Sequence, residues 1–271
     1  MAKKHHADYS YRSIWISDVH LGTAGAQVDA LLDFLKHTHS ETLYLVGDIV
    51  DGWQLKKRFY WPQKHNDVIQ KILRKARNGT KVIYIPGNHD EAAREYVDYN
   101  FGEVEIHLDY IHQTRNDEKL WVVHGDLFDN VIQHARWLAY VGDTAYVMLL
   151  RANRLINSVR RFFNMPYWSF SKYLKLKVKS AVSFISAFET AMVTEARRRG
   201  CSGVVCGHIH KAEIREIDGI KYFNDGDWVE SVTALVEHHD GRMEIMNWAS
   251  RINEYTLASS KLSPNGARDV I

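Results

Sequence analysis

The chain has little cysteine, little proline and almost no net charge. Among 271 residues there are two cysteines and four prolines, and the formal charge is +2. Cys201 and Cys206 lie five positions apart with no secretory leader ahead of them. Such a pair is expected to fit a reducing cytoplasm better than a disulfide scaffold. A charge so near zero does not imply nucleic acid as a partner. No run of about 18 uncharged apolar residues occurs, so no membrane-spanning helix is expected. Internal repeats and low-complexity tracts are also missing. What remains is a hydrophobic content of 45%, enough for a sizeable core in one large domain or a domain with an insertion.

The most informative stretch is Gly47-Asp48-Ile49-Val50-Asp51-Gly52. It follows Leu43-Tyr44-Leu45-Val46, a short apolar run of strand formers. Asp48 is therefore expected at the carboxyl end of a buried strand, where open α/β sheets hold their ligands. Ile14-Trp15-Ile16-Ser17 leads into Asp18-Val19-His20, and Lys81 to Ile85 leads into Gly87-Asn88-His89-Asp90. Leu120 to Val123 delivers His124-Gly125-Asp126, and Val204-Val205 precedes Gly207-His208-Ile209-His210. Asp, His and Asn donors without cysteine suit Mn²⁺, Fe²⁺ or Zn²⁺ better than a calcium cage. Asp48 reads as a carboxylate shared by two ions, which at about 3.5–4 Å apart would clamp a phosphoryl group.

Around these motifs, residues 12–128 alternate strands with helical patterns, and the core resumes over 201–249 with two hairpin signals. Helices are expected over Gln27–His39, from Pro62 to Asn78-Gly79, and over Glu91–Tyr99. Residues 1–11 read as a disordered terminus and 250–271 as a flexible tail. Between them, 129–200 shows helical spacing only. From Asn130 to Phe188 its charges are basic except Asp143, with Lys172, Lys175, Lys177 and Lys179 close together and Trp137, Tyr140, Trp168 and Phe170 interleaved. This is either a solvated helical face or a surface that lies on a membrane.

In order and spacing, the five motifs resemble those of the calcineurin-like metallophosphoesterases. The resemblance implies a four-layer αββα sandwich with two metals at the sheet ends. Carried over motif by motif, Asp18, His20, Asp48 and His210 would hold one ion. Asp48, Asn88, His124 and His208 would hold the other, with Asn88 and His89 acting on the substrate. A narrower resemblance rests on Asp18-Val19-His20-Leu21, Trp53, the helical insertion and Gly226-Asp227-Trp228. It is to family members that use Mn²⁺ to cleave a nucleotide diphosphate lipid in lipid A synthesis, with the insertion as a lid over the acyl chains. That implies a cytoplasmic enzyme, peripheral on the inner face of the cytoplasmic membrane. One departure stands out, since that group has Asn-Arg-Asp where this chain has Asn88-His89-Asp90. It keeps a phosphodiesterase or phosphatase acting on a soluble substrate in view as the alternative, and a non-catalytic scaffold is the alternative of another class. Asp51 reads either as a helix cap or as support for the metals, and Asp126 and Asp227 either as turn residues or as such support. His65, His107, His112, His134, His238 and His239 read as surface or core residues.

Overall fold

The computed structural model describes residues 9–128 and 170–252, with side chains for all of these except 170–183. The expectations for residues 1–8, for most of the insertion and for the tail from 253 lie outside the described residues. The chain divides into two compact units, Met1–Asp126 with Ala196–Ile271, and Leu127–Glu195.

The first unit is built on two mixed sheets. Strand β1 (Tyr9–Ile16) pairs in parallel with β2 (Thr38–Val46), and β2 with β3 (Lys81–Ile85). These strands show apolar residues on both faces, as buried parallel strands must. Ile14, Ile16, Leu43 and Leu45 face the helices α1 (Val28–His37) and α3 (Gln63–Arg77). The alternate residues Trp15, Tyr44 and Val46 face the second sheet. Between α1 and α3 lies α2 (Gly52–Lys57). Leu31 and Phe34 of α1 and Val68 and Ile72 of α3 are buried at helical spacing, which is why these segments form helices and pack on the sheet. Trp15 stacks on Tyr44 at 5.1 Å, a contact worth about 1 kcal/mol beyond its burial.

Beyond β3 come β4 (Asn100–Phe101), β5 (Val104–Ile106), β6 (Tyr110–Gln113) and β7 (Lys119–Val122). After them come α4 (Phe170–Arg198), which starts in the second unit, then β8 (Gly203–Cys206), β9 (Glu213–Ile217), β10 (Ile220–Asn224), β11 (Thr233–Glu237) and β12 (Met243–Asn247). The larger sheet has the order β12-β11-β1-β2-β3-β5-β4, the smaller β6-β7-β8-β10-β9. In the smaller sheet β7, β8 and β10 are parallel. Two sets of parallel strands therefore end close together, at Asp18, Asp48 and Asn88 from one sheet and His124 and His208 from the other. Phe188, Met192 and Val193 of α4 are buried along one stripe of its surface. No helix among the described residues is long and apolar enough to cross a membrane.

Three local expectations differ from the fold. The first strand begins at Tyr9, inside the expected loose terminus, because Tyr9, Ser10 and Tyr11 pair with Thr38, His39 and Ser40. The same pairing ends α1 at His37 and claims Thr38 and His39 for β2. The segment Glu91–Tyr96 is a 3-10 turn, not an α-helix, and Asp90 does not cap it. Its carboxylate is turned inward instead, as described next.

Candidate metal centre

Each motif follows a strand, and the first, second and fifth turn at once through left-handed residues. Asp18, His20, Asp48, His208 and His210 have φ between 50° and 70°. A side chain in that region costs on the order of 1–2 kcal/mol, and such strain persists only where the surroundings impose it. Here backbone hydrogen bonds do so. Asp18 and His20 donate to the carbonyls of Gly47 and Asp48 at 3.0 and 2.9 Å, and Trp228 donates to Asp18 at 3.1 Å. Gly47 itself has φ of +80°, and a Cβ there would overlap the His124 ring. Gly47→Ala is expected to lower stability by about 2–4 kcal/mol and to weaken metal binding, read by thermal melts with and without metal. An unchanged melting temperature would show that His124 moves aside freely.

These turns bring the motif side chains together. Asp18, His20 and His210 each offer an atom to one group, and Asp48, His124 and His208 to another, the atoms within 4.8 Å of one another. Asp18 Oδ1 lies 3.1 Å from His210 Nε2 and 3.8 Å from His20 Nε2. Asp48 Oδ2 sits between the groups, 3.8 Å from His20 Nε2, 3.5 Å from His124 Nε2 and 3.9 Å from His89 Nε2. Asn88 is 7% exposed. His20 and His89 meet edge to face at 4.7 Å, and Trp53 lies against His89 at 4.3 Å.

Asp51 caps a helix and also contacts two motif imidazoles. Its Oδ1 accepts from the Gln54 amide at 2.8 Å and caps α2. The same carboxylate takes His20 Nδ1 at 3.1 Å on one oxygen and His89 Nδ1 at 3.1 Å on the other. Asp227 is chiefly a turn residue, accepting from Val229 and Ser231, and His210 Nδ1 is 4.0 Å away. Asp126 pairs with Arg94 at 2.6 Å. His65 is buried and accepts from the Gly22 amide, while His112 bonds Tyr44 and Glu237 between the sheets.

Three supports were not foreseen. Asp90 accepts from the amides of Gly87, Asp48 and Ile49, at 2.5, 3.2 and 2.8 Å, and so ties the third motif to the second. The Ser17 hydroxyl lies 2.7 Å from a carboxylate oxygen of both Asp18 and Asp225 and bridges them with its one proton. Asp225 itself is fully buried, which pushes its carboxyl well above the usual range despite the Ser17 hydroxyl. The residues around Asp225 read as an ordinary turn, and only its position after β10 marks it.

The electrostatics follow from carboxylates and imidazoles packed out of water. Burial works against charge on His20, but the carboxylates of Asp18 and Asp51 outweigh it and raise the pKa to about 10. His124 rises likewise to about 10 because of Asp48. Burial also opposes the Asp48 charge, but the His124 ring holds its pKa down to about 2. In the metal-free protein the raised imidazoles contribute stability that is full below about pH 6.5 and fades as pH rises through 10. A metal needs these rings neutral. Loading near neutral pH is therefore expected to release about two protons, measured by calorimetry in buffers of different ionisation enthalpy, with affinity rising with pH. Buffer-independent heats would contradict the assignment.

The donor set fits divalent metal on its own chemistry. His20 Nε2, His124 Nε2 and both amide atoms of Asn88 are buried without a hydrogen-bond partner. Unsatisfied buried polar atoms are rare, and three of these, the two imidazole nitrogens and Asn88 Oδ1, carry lone pairs that point to an ion as their partner, while Asn88 Nδ2 is left to donate to an anionic group. Fold and site together define a metal-dependent phosphoester hydrolase. The calcineurin-like phosphoesterase family model matches residues 11–212, and the chain belongs to that family. Its α/β sandwich is the metallophosphoesterase fold.

Among proteins of known name, the chain is similar to UDP-2,3-diacylglucosamine hydrolase of Haemophilus influenzae. The two are 25% identical over 240 residues, covering 83% of this chain and 94% of that protein. The enzyme of the same name from Porphyromonas gingivalis is 22% identical over 244 residues, covering 79% and 88%. Among solved structures, a hypothetical protein from Pyrococcus horikoshii OT3 aligns with a TM-score of 0.47 at 9% identity, covering 94% of this chain and 95% of its own. A phosphoesterase from E. coli aligns with 0.40 at 15% identity, covering 87% and 98%.

Proposed function

We propose that this chain is a two-metal phosphohydrolase that cleaves the diphosphate of a nucleotide-linked lipid of the UDP-2,3-diacylglucosamine type. The observation that carries the two-metal reading is Asp48 Oδ2, 3.5–3.9 Å from imidazoles that follow β1, β3 and β7. In this reading Asp18, His20, Asp48 and His210 hold one ion, and Asp48, Asn88, His124 and His208 the other. Mn²⁺ is the proposed metal, with Fe²⁺ and Zn²⁺ matching the same donors. When bound, the ions would supply Lewis acidity toward the phosphoryl oxygens and toward water. The Asn88 amide orients the phosphoryl group. Asp51 fixes His89 through Nδ1, which leaves Nε2 to carry a proton to the leaving oxygen. Trp53 keeps that ring in place.

The lipid part rests on the relatives' substrate and on the surface near the centre. The insertion side chains that suggested membrane contact lie outside the described residues. Another feature supports a membrane-borne substrate. Lys56, Lys57, Arg58, Phe59 and Tyr60 are exposed where the chain leaves α2, with Phe59 at 78%. Cations beside an exposed aromatic suit an anionic leaflet, and the proposed location is peripheral on the inner face of the cytoplasmic membrane. His89, in place of the arginine of the lipid-cleaving group, favours the second reading, a soluble phosphodiester. A scaffold without turnover does not fit a chain of this hydrolase family.

The test compares kcat/KM for the UDP-linked diacyl sugar in mixed micelles with that for a chromogenic phosphodiester. The proposal expects a preference of at least roughly 10²-fold for the lipid, because each buried CH₂ is worth about 0.8 kcal/mol. Equal or inverted values would favour the soluble substrate.

A further inference from the structure

The amino ends of the strands, opposite the metal centre, carry a cavity of about 320 Å³. Lys36, His39, Lys71, Arg74 and Lys75 line it, with Asn78 and Thr80 beside them and no acidic residue. Its walls are the last turn of α1, the start of β2 and the end of α3. The carboxyl ends of the same strands hold Asp48 and Asn88, on the order of 20 Å away.

Four basic side chains in one concavity repel one another when charged. Among the described residues none of Lys36, Lys71, Arg74 and Lys75 has a carboxylate partner; Lys75 Nζ contacts only the carbonyl of Thr38. Lys71 is shifted down by burial and by the charges of Arg74 and Lys36, and Lys75 to about 8 by burial and Lys71. Basic residues commonly complement a helix carboxyl end, and Arg74 and Lys75 stand in the last turn of α3. Lys36 likewise stands in the last turn of α1, so the helix ends account for three of the four. Lys71 stands a turn earlier, and a dipole needs no cavity into which separate elements each contribute a cation. A positively charged hollow with no carboxylate in its lining is suited to an anion.

We propose that this cavity is a binding site for a phosphate-bearing anion, distinct from the metal centre. The shared chemistry is a phosphate group held by Lys36, Lys71, Arg74 and Lys75, supplied by a free phosphorylated molecule or by a lipid headgroup.

The test reads Lys75 directly. The metal-loaded protein is acylated at pH 8, and the labelling rate of Lys75 is followed by peptide mass spectrometry. One arm adds inorganic pyrophosphate, another phosphatidylglycerol vesicles. At roughly ten times its Kd, the ligand should slow labelling about tenfold. Protection by pyrophosphate assigns a free phosphorylated molecule, and protection by vesicles alone assigns a headgroup. Lys71→Glu with Arg74→Glu should abolish protection while turnover of a chromogenic phosphodiester is unchanged. Lys71→Gln serves if the double variant does not fold. No protection in either arm, or protection that survives both variants, overturns the site.

Discussion

Asp48→Ala is expected to abolish turnover, lowering kcat at least roughly 10⁴-fold, and to reduce metal content at both positions. The reason is geometric. Asp48 Oδ2 is within 4 Å of imidazoles belonging to both groups of donors, so in the proposed two-metal centre one carboxylate would serve both ions. Its Oδ1 also accepts from the His89 amide at 2.8 Å, so its loss frees the third motif as well. Asp48→Asn separates these roles, since it keeps the size and an acceptor but loses the charge. Metal analysis of the purified variants decides the matter. Two metals per chain in Asp48→Ala would show that the carboxylate is not shared.

His89→Ala is expected to behave differently, keeping both metals and losing roughly 10²–10⁴ in kcat. The loss should shrink for substrates whose leaving group needs no proton. His89 hangs from Asp51 by Nδ1 and lies against Trp53, so it is held in place without being a proposed ligand. Near-wild-type kcat on an unactivated substrate would remove it from the chemistry. Asp51→Asn should lower kcat less than His89→Ala and, because Asp51 also holds the proposed ligand His20, should weaken metal binding as well.

Much of this centre is legible in the sequence because its donors are encoded locally. A strand of apolar residues, a tight turn and a donor lie within a few positions, so Ile14 to His20 and Leu43 to Asp51 declare themselves. What is hidden depends on distant partners. Asp90 looks like the start of a helix until its carboxylate is seen on the amides of Asp48 and Ile49, some 40 positions away. Asp225 looks like a turn residue until Ser17 bonds it across the sheet edge. The division into two sheets is equally long-range. β5 joins the larger sheet beside β3, and β6 starts the smaller one only a few residues later. α2 escapes periodicity because its six residues bury no apolar face, and a cap alone defines it. Extension of β1 to Tyr9 follows from pairing with Thr38, a register that neither segment announces alone.

The central claim is hydrolysis of a nucleotide-linked lipid diphosphate by a two-metal centre, and product analysis tests it most directly. Metal-stripped protein is reloaded with Mn²⁺, given UDP-2,3-diacylglucosamine in mixed micelles, and its products are resolved by mass spectrometry. The account predicts UMP and the diacyl sugar phosphate in equal amounts, with no turnover before reloading or in Asp48→Ala. An intact substrate beside rapid hydrolysis of a soluble phosphodiester would contradict it.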